Sequence, residues 1–205
     1  MSKIIVNQIE SSDGTTDVLN SLSAVSVAGD GMGQVMQTVV HSITGKDSIN
    51  HATHQQIISA AIVPKSTSSV IKIEGYITAA HSNSYSGLIY LMKNGDYTGS
   101  GGTLIGGGRT NDLSNTVDNV LINFRVTQQY SPENLYFVHY DEPSTTSSTI
   151  YQIRGNSSGG TSNTLYINHG YTATANYSYN SSAITTISIT ELNGDNVTLP
   201  PDVLT

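Results

Sequence analysis

"SVIKIEGYITAA", residues 69–80, places Val70, Lys72, Glu74 and Tyr76 on one face of an extended chain and Ile71, Ile73 and Ile77 on the other. A period of two with one apolar face is what a half-buried β-strand requires. Helix signals are nearly absent from the rest of the sequence. The stretch is therefore read as a core strand of an all-β protein.

Further runs rich in Val, Ile, Thr and Tyr, split by Gly, Ser and Asn clusters, flank it on both sides. They are "KIIVNQI" (3–9), "QVMQTVVHSI" (34–43), "QQIISAAIV" (55–63), "GLIYLMKNG" (87–95) and "NVLINFRVTQQY" (119–130). "NLYFVHY" (134–140), "STIYQIRG" (148–155), "TLYINHG" (164–170) and "ITTISITEL" (184–192) complete the set. From Gln34 onward this predicts about eight or nine strands, at the turn spacing of a sandwich or barrel. In the last run Ile184, Ile187 and Ile189 keep no strict period, which predicts a bulge or burial on both faces. Core candidates are Val39, Ile58, Ile71, Ile73, Leu88, Tyr90, Leu121, Phe124, Ile150, Ile153, Leu165, Ile167 and Ile187.

Composition narrows the function classes. With 205 residues the chain can bury a real core as one large or two small domains. Only 11% of residues are charged and the net charge is −7, so the surface is made of short uncharged polar groups. No basic stripe exists for a nucleic-acid backbone, so no nucleic-acid partner is expected. The absence of cysteine closes disulfide and thiolate-metal readings. No run approaches a membrane span, and "MSKIIVNQIESS" lacks a secretory apolar core, so a soluble protein made in a cytoplasm is expected. The sequons "NSS" (156–158) and "NYS" (176–178) then carry no weight.

Three segments are expected. Residues 1–33 form one short strand, a turn at "SSDG" and a small-residue stretch, with too little apolar mass for a core of their own. Residues 34–194 form the sandwich. Residues 195–205, with Pro200–Pro201, read as an extended tail whose contact candidates are Leu199, Pro200, Pro201, Val203 and Leu204. The glycine-rich stretch 94–115 reads as the most mobile or exposed connection.

The residues that invite a chemical reading are few. Asp141 and Glu142 are adjacent carboxylates, but neighbours on a strand point to opposite faces and Pro143 holds Glu142 extended, so the pair reads as a solvated loop entrance. The hydroxyl run that follows suits a connection between two sheets. "HATH" (51–54) spaces two imidazoles three apart, without helical periodicity around them. These and His41, His81, His139 and His169 read as exposed or hydrogen-bonded loop histidines with no metal. Three copies of one of them on a symmetry axis is the arrangement that would hold one. "IGGGRTND" (105–112) lacks the helix a phosphate cradle needs, and no G-x-S-x-G elbow is present. The other acids, Asp112 and Asp118, are not visibly convergent with 141–142. No catalytic residue and no cofactor are expected.

Tyrosine is the dominant aromatic, twelve against two phenylalanines and no tryptophan. Tyr85, Tyr97, Tyr130, Tyr171, Tyr177 and Tyr179 fall in or near predicted loops, and with Arg109 they are the candidate contact residues for a protein or glycan partner.

"YDEPSTTSSTIYQIR" (140–154), "GGTSNTLYINHGY" and "SSAITTISITELNGD" together resemble the C-terminal module of phage tail-fibre and virion structural proteins, especially those of marine and cyanobacterial phages. "GLIYLMKNGDYTGSGG" resembles the family's hairpin, here Leu91 to Gly99, and "SKIIVNQIESSDGT" resembles the opening of many fibre chains. The resemblance implies an antiparallel jelly-roll sandwich similar to the C1q and tumour-necrosis-factor heads, assembled as a homotrimer, with no catalytic residues. It further implies a virion protein made in the host cytoplasm, a short fibre, spike or knob. Other virion proteins of the tail, portal vertex or capsid would be its partners, with a host-surface glycan or protein as a further one and no membrane insertion. In that reading Ile4, Ile5, Val6 and Ile9 anchor the chain by strand addition. Almost no shaft separates the opening strand from the head. A capsid decoration protein, with the tail reaching across to a neighbour, and a glycan-binding module are the alternatives.

Overall fold

The alternation at 69–80 becomes a strand of 12 residues, Val70–His81, paired along both of its edges. The computed structural model describes residues 34–50, 54–82, 86–96, 100–106, 120–125, 132–158, 163–170 and 183–194. These contain eleven strands: β1 (Val35–Ile43), β2 (Asp47–Asn50), β3 (Gln55–Ile62), β4 (Val70–His81), β5 (Ser86–Lys93), β6 (Thr103–Ile105), β7 (Ile122–Arg125), β8 (Glu133–Asp141), β9 (Thr149–Ser157), β10 (Thr164–Ile167) and β11 (Thr185–Leu192). Every pairing among them is antiparallel.

Two sheets face each other. In the first, β8 takes one edge of β4, while β11 and β10 lie end to end along the other. β1 then pairs with β11 and β2 with β10, giving the order β1-β11-β4-β8. In the second, β9 lies between β3 and β5, and β7 and β6 share the far edge of β5, giving β3-β9-β5-β7. These two orders, with the chain alternating between sheets, are those of a jelly roll. The expectation of an all-β antiparallel sandwich holds.

The core is the set of inward faces. Ile71, Ile73 and Ile77 from β4 and Ile187 and Ile189 from β11 meet Ile58, Ile62, Ile89, Leu91, Tyr151 and Ile153 from the opposite sheet, all nearly inaccessible to solvent. Each such side chain contributes about 2 kcal/mol by leaving water. Gly75 lets β4 pass close to the Phe137 ring, since a Cβ there would sit 2.1 Å from Cε1. Asn168 ties the strand ends together. In the left-handed region at φ 62°, it donates from Nδ2 to the carbonyls of Ile43 and Gly45 and accepts from Thr185 Oγ1 at 2.8 Å.

Three expectations need correction. β11 alternates regularly, with Thr185, Ile187, Ile189 and Glu191 buried; Ile184 precedes the strand and is exposed, and the bulge lies opposite, in β1 between Val35 and Gln37. Ile150 is 37% exposed, because Tyr151 and Ile153 take the inward positions of β9. Two short strands lie outside the predicted runs, β2 between two of them and β6 within the stretch 94–115 read as a loop. The run at 119–130 yields β7, while residues 126–130 lie outside the described ones.

Candidate interaction face

The outward side chains of the first sheet form a lattice of three rows across four strands. Ser42, Thr186, Tyr76 and Tyr136 make one row; Val40, Ser188, Glu74 and Val138 the next; Thr38, Thr190, Lys72 and Tyr140 the third. Exposure is high for large side chains: Val40 60%, Tyr136 59%, Tyr76 43%, Tyr140 40% and Val138 40%. These rings and methyl groups stand in water because the alternation of β4 and β8 buries the opposite set, Leu135 and Phe137 among them.

Hydrogen bonds knit the lattice. Tyr136 donates to Glu74 Oε1 at 2.7 Å, and Lys72 Nζ lies 3.0 Å from the same oxygen. The Tyr136 hydroxyl and then Lys72 hold the Glu74 carboxyl below its usual range; the hydrogen bond to Glu74 raises Lys72 and Tyr136. Ser42 and Thr186 hydroxyls are 2.8 Å apart, and those of Thr38 and Thr190 are 3.3 Å apart. The only charges on the twelve lattice positions are this Lys and this Glu, so the face is neutral on a chain of net charge −7.

The outer face of the second sheet is different, because the chain covers it. Leu88, Tyr90, Met92, Gln152 and Arg154 point outward there, yet all are buried. His54 stacks on Tyr90 with ring centroids 4.0 Å apart. Arg154 donates to the His54 carbonyl from Nε at 3.1 Å and also from Nη2, and to Gln152 Oε1 at 3.0 Å. Gln152 in turn donates to the Gly95 and Asp96 carbonyls, drawing the turn after β5 over the sheet. Burial, and then the Arg154 charge, lower the His54 imidazole pKa. Burial likewise raises the Tyr90 phenol.

The acidic pair resolves into two different roles. Asp141 is the last residue of β8 and points inward, where Lys93 Nζ donates to both carboxylate oxygens at 2.8 and 3.0 Å and Tyr151 donates at 2.7 Å. Lys93 and Tyr151 belong to the second sheet, so Asp141 is a bridge between sheets rather than a solvated loop entrance. Burial, and then this hydrogen bond, raise the Tyr151 phenol and keep it protonated. Glu142 is exposed, on the other side of the backbone as its adjacency required. Glu191 is also engaged, accepting from Ser69 Oγ and Gln37 Nε2 at 2.5 Å and from the Lys65 amide at 2.6 Å. Burial alone would raise its carboxyl; these bonds and the Lys65 charge outweigh that and leave it lowered.

The histidines are not loop residues as a class. His41, His81 and His139 lie within β1, β4 and β8, with His81 fully buried and 2.7 Å from Ser157 Oγ. His169 follows β10, buried, its ring nitrogens facing the carbonyls of Gly170 and Asp47. Among the described residues no three His, Cys, Asp or Glu side chains gather as a metal site would require.

The candidate contact residues Tyr85, Tyr97, Arg109, Tyr130, Tyr171, Tyr177 and Tyr179 lie outside the described residues, as do Asp112 and Asp118. So do the anchor residues Ile4, Ile5, Val6 and Ile9 and the tail residues Leu199, Pro200, Pro201, Val203 and Leu204. The tyrosines that the fold places together are three others, Tyr76, Tyr136 and Tyr140. Their signal was the alternation of "NLYFVHY", which sets Tyr136, Val138 and Tyr140 against Leu135 and Phe137.

No protein-family model and no curated protein matches the chain. Among solved structures, the VP2 subviral particle of infectious bursal disease virus is similar at 14% identity and a TM-score of 0.35, covering 83% of this chain and 36% of that one. The structure of the Gt strain of the same virus is similar at 14% identity and a TM-score of 0.37, covering 83% of this chain and 48% of that one. That of the Gx strain is similar at 13% identity and a TM-score of 0.34, over 83% and 48% of the respective chains. The chain thus spans between about a third and a half of the length of the solved chains it matches.

Proposed function

We propose that the chain is a non-enzymatic structural protein of a virus particle, a homotrimer of jelly-roll heads held to the particle by residues 1–33. The observation that carries this reading is the bare outer face of the first sheet. Three tyrosines and two valines stand exposed on a neutral, flat lattice, while the same chain covers the equivalent face of its second sheet with its own turns. Exposed aromatic patches of this kind mark protein contacts. Neutrality on a chain of net charge −7 suits contact with further copies of itself, because elsewhere like charges repel. Asp141 and Glu191 are both consumed in holding strands together, which favours a structural over a catalytic role.

The virion assignment draws on the resemblance of 140–154 and the stretches after it to phage fibre and virion structural modules. In this reading Ile4, Ile5, Val6 and Ile9 provide the anchoring strand, and the loop tyrosines with Arg109 meet the host surface or a neighbouring subunit. Quantitative mass spectrometry of purified particles, referred to the major capsid protein, tests it. A few to a few dozen copies per particle are expected for a fibre or spike. Hundreds would make the chain a capsid decoration protein, with 195–205 as the clamp. Absence from the particle overturns the virion reading and leaves glycan binding as the function to test.

A further inference from the structure

Among the described residues β1 pairs with β11 along one edge and with no strand along the other. Natural sheets blunt such an edge with lysine, proline or a bulge, because its unpaired amides and carbonyls template another strand. In β1 that protection is confined to the start. The register shift lies beside Met36, and Lys65 Nζ donates to the Met36 carbonyl at 3.0 Å. From Gln37 to Ile43 the strand has neither charge nor proline, and Val40 is 60% exposed. β3, the neighbouring border strand of the other sheet, is better covered. The Ser59 carbonyl takes a hydrogen bond from His41 Nδ1, and the Val63 carbonyl just beyond β3 one from Gln37 Nε2, each at 2.7 Å.

We propose that residues Lys3–Ile9 of a second copy add along one of their edges to Gln37–Ile43 as an extra strand, their other edge being the one that meets the particle in the anchoring reading. The two stretches are seven residues each, and both are rich in β-branched residues, Ile4, Ile5, Val6 and Ile9 in the one and Thr38, Val39, Val40 and Ile43 in the other. Residues 10–33 connect the arm to its own head; fully extended they reach roughly 80 Å, against about 23 Å for a seven-residue strand, so distance does not limit the exchange. The choice of a second copy as donor rests on the trimer reading above. β1 supplies the border column of the neutral face, Thr38, Val40 and Ser42, so a neighbouring copy is adjacent to this edge. Around a threefold axis each copy gives one arm and accepts one, which closes the set and leaves no β1 edge unpaired.

The chain has no cysteine, so designed disulfides are clean reporters. Val6→Cys or Asn7→Cys, which point to opposite faces of the arm, is combined in turn with Thr38→Cys, Val40→Cys or Ser42→Cys. Disulfide-linked dimers and trimers on a non-reducing gel are expected from one of the two arm positions. Deleting residues 1–12 should speed hydrogen exchange at the β1 amides not bonded to β11 by about tenfold or more, while native mass spectrometry still finds the truncated heads trimeric. Cross-links only within single chains would show the arm closing its own edge and overturn exchange between copies. No cross-link in any pairing, with exchange unchanged on truncation, overturns the added strand itself. A full-length protein that is monomeric overturns the trimer reading on which the donor rests, which keeps the two failures apart.

Discussion

Asp141 joins the two sheets through Lys93 and Tyr151, and its replacement by Asn would leave the Lys93 ammonium without its anion. Because both partners are mostly shielded from water, Asp141→Asn should cost about 2 kcal/mol. The test is urea denaturation, with the midpoint falling and the slope unchanged. Other residues set the acid limit of stability, His54 first and then Glu191 together with Glu74. Unfolded His54 takes up a proton below its ordinary 6.5, whereas the folded ring resists one, so stability declines as pH falls from about there. Glu191 has the opposite charge but the same sign of effect. Its folded carboxyl stays ionised below the ordinary 4.5, so its contribution, whole above that value, is lost as pH falls further. Unfolding free energies measured from pH 8 to pH 3 should therefore show two declines, and Glu191→Gln should make the lower one shallower, Glu74 supplying the rest. A Gln variant with an unchanged acid limb would show that these hydrogen bonds do not discriminate the charged form.

At the scale of elements, the approach of β4 to β8 depends on Gly75. Gly75→Ala forces the Phe137 ring out of its place, for about 1–3 kcal/mol of overpacking. Phe137→Leu makes room, so the double variant should be more stable than the sum of the two single losses, as a double-mutant cycle will show. The same pair of strands explains what the sequence made legible. β8, and β4 from Ile71 to Ile77, have one wet and one dry face, so a period of two exposes both their existence and their orientation. β9 is central and buried on both sides, so Gln152 and Arg154 are as inaccessible as Tyr151 and Ile153 although the sequence itself alternates. Ile150, on the face of Gln152 and Arg154, passed for a core residue on its apolar side chain alone, and the polar Arg154 gave no sign of its burial. β2 and β6, of 4 and 3 residues, are too short to establish any period and exist only through their partners. The bridge at Asp141 was hidden for a related reason: Lys93 and Tyr151 are distant in sequence or on another strand, and only sheet packing brings them together. Likewise, the exposed tyrosines were sought in loops because exposure is normally a loop property, whereas here a sheet face is left bare.

At the scale of the molecule, turns cover the outer face of the second sheet, while among the described residues none covers that of the first, which further copies of the chain cover in the proposed trimer. Tyr140→Glu is a suitable probe because Lys72 lies directly across the strand pair and can receive the new carboxylate. Val40→Lys adds a charge at the other end of the lattice, on β1, opposite Ser188. The double variant should keep the far-ultraviolet spectrum of the parent. The deciding measurement is the solution mass of the intact chain and of this variant by sedimentation equilibrium. About three times the 21.7 kDa of one chain is expected for the parent and a single chain for the variant. A parent that sediments as one chain, or a folded variant that stays trimeric, would contradict assembly through this face.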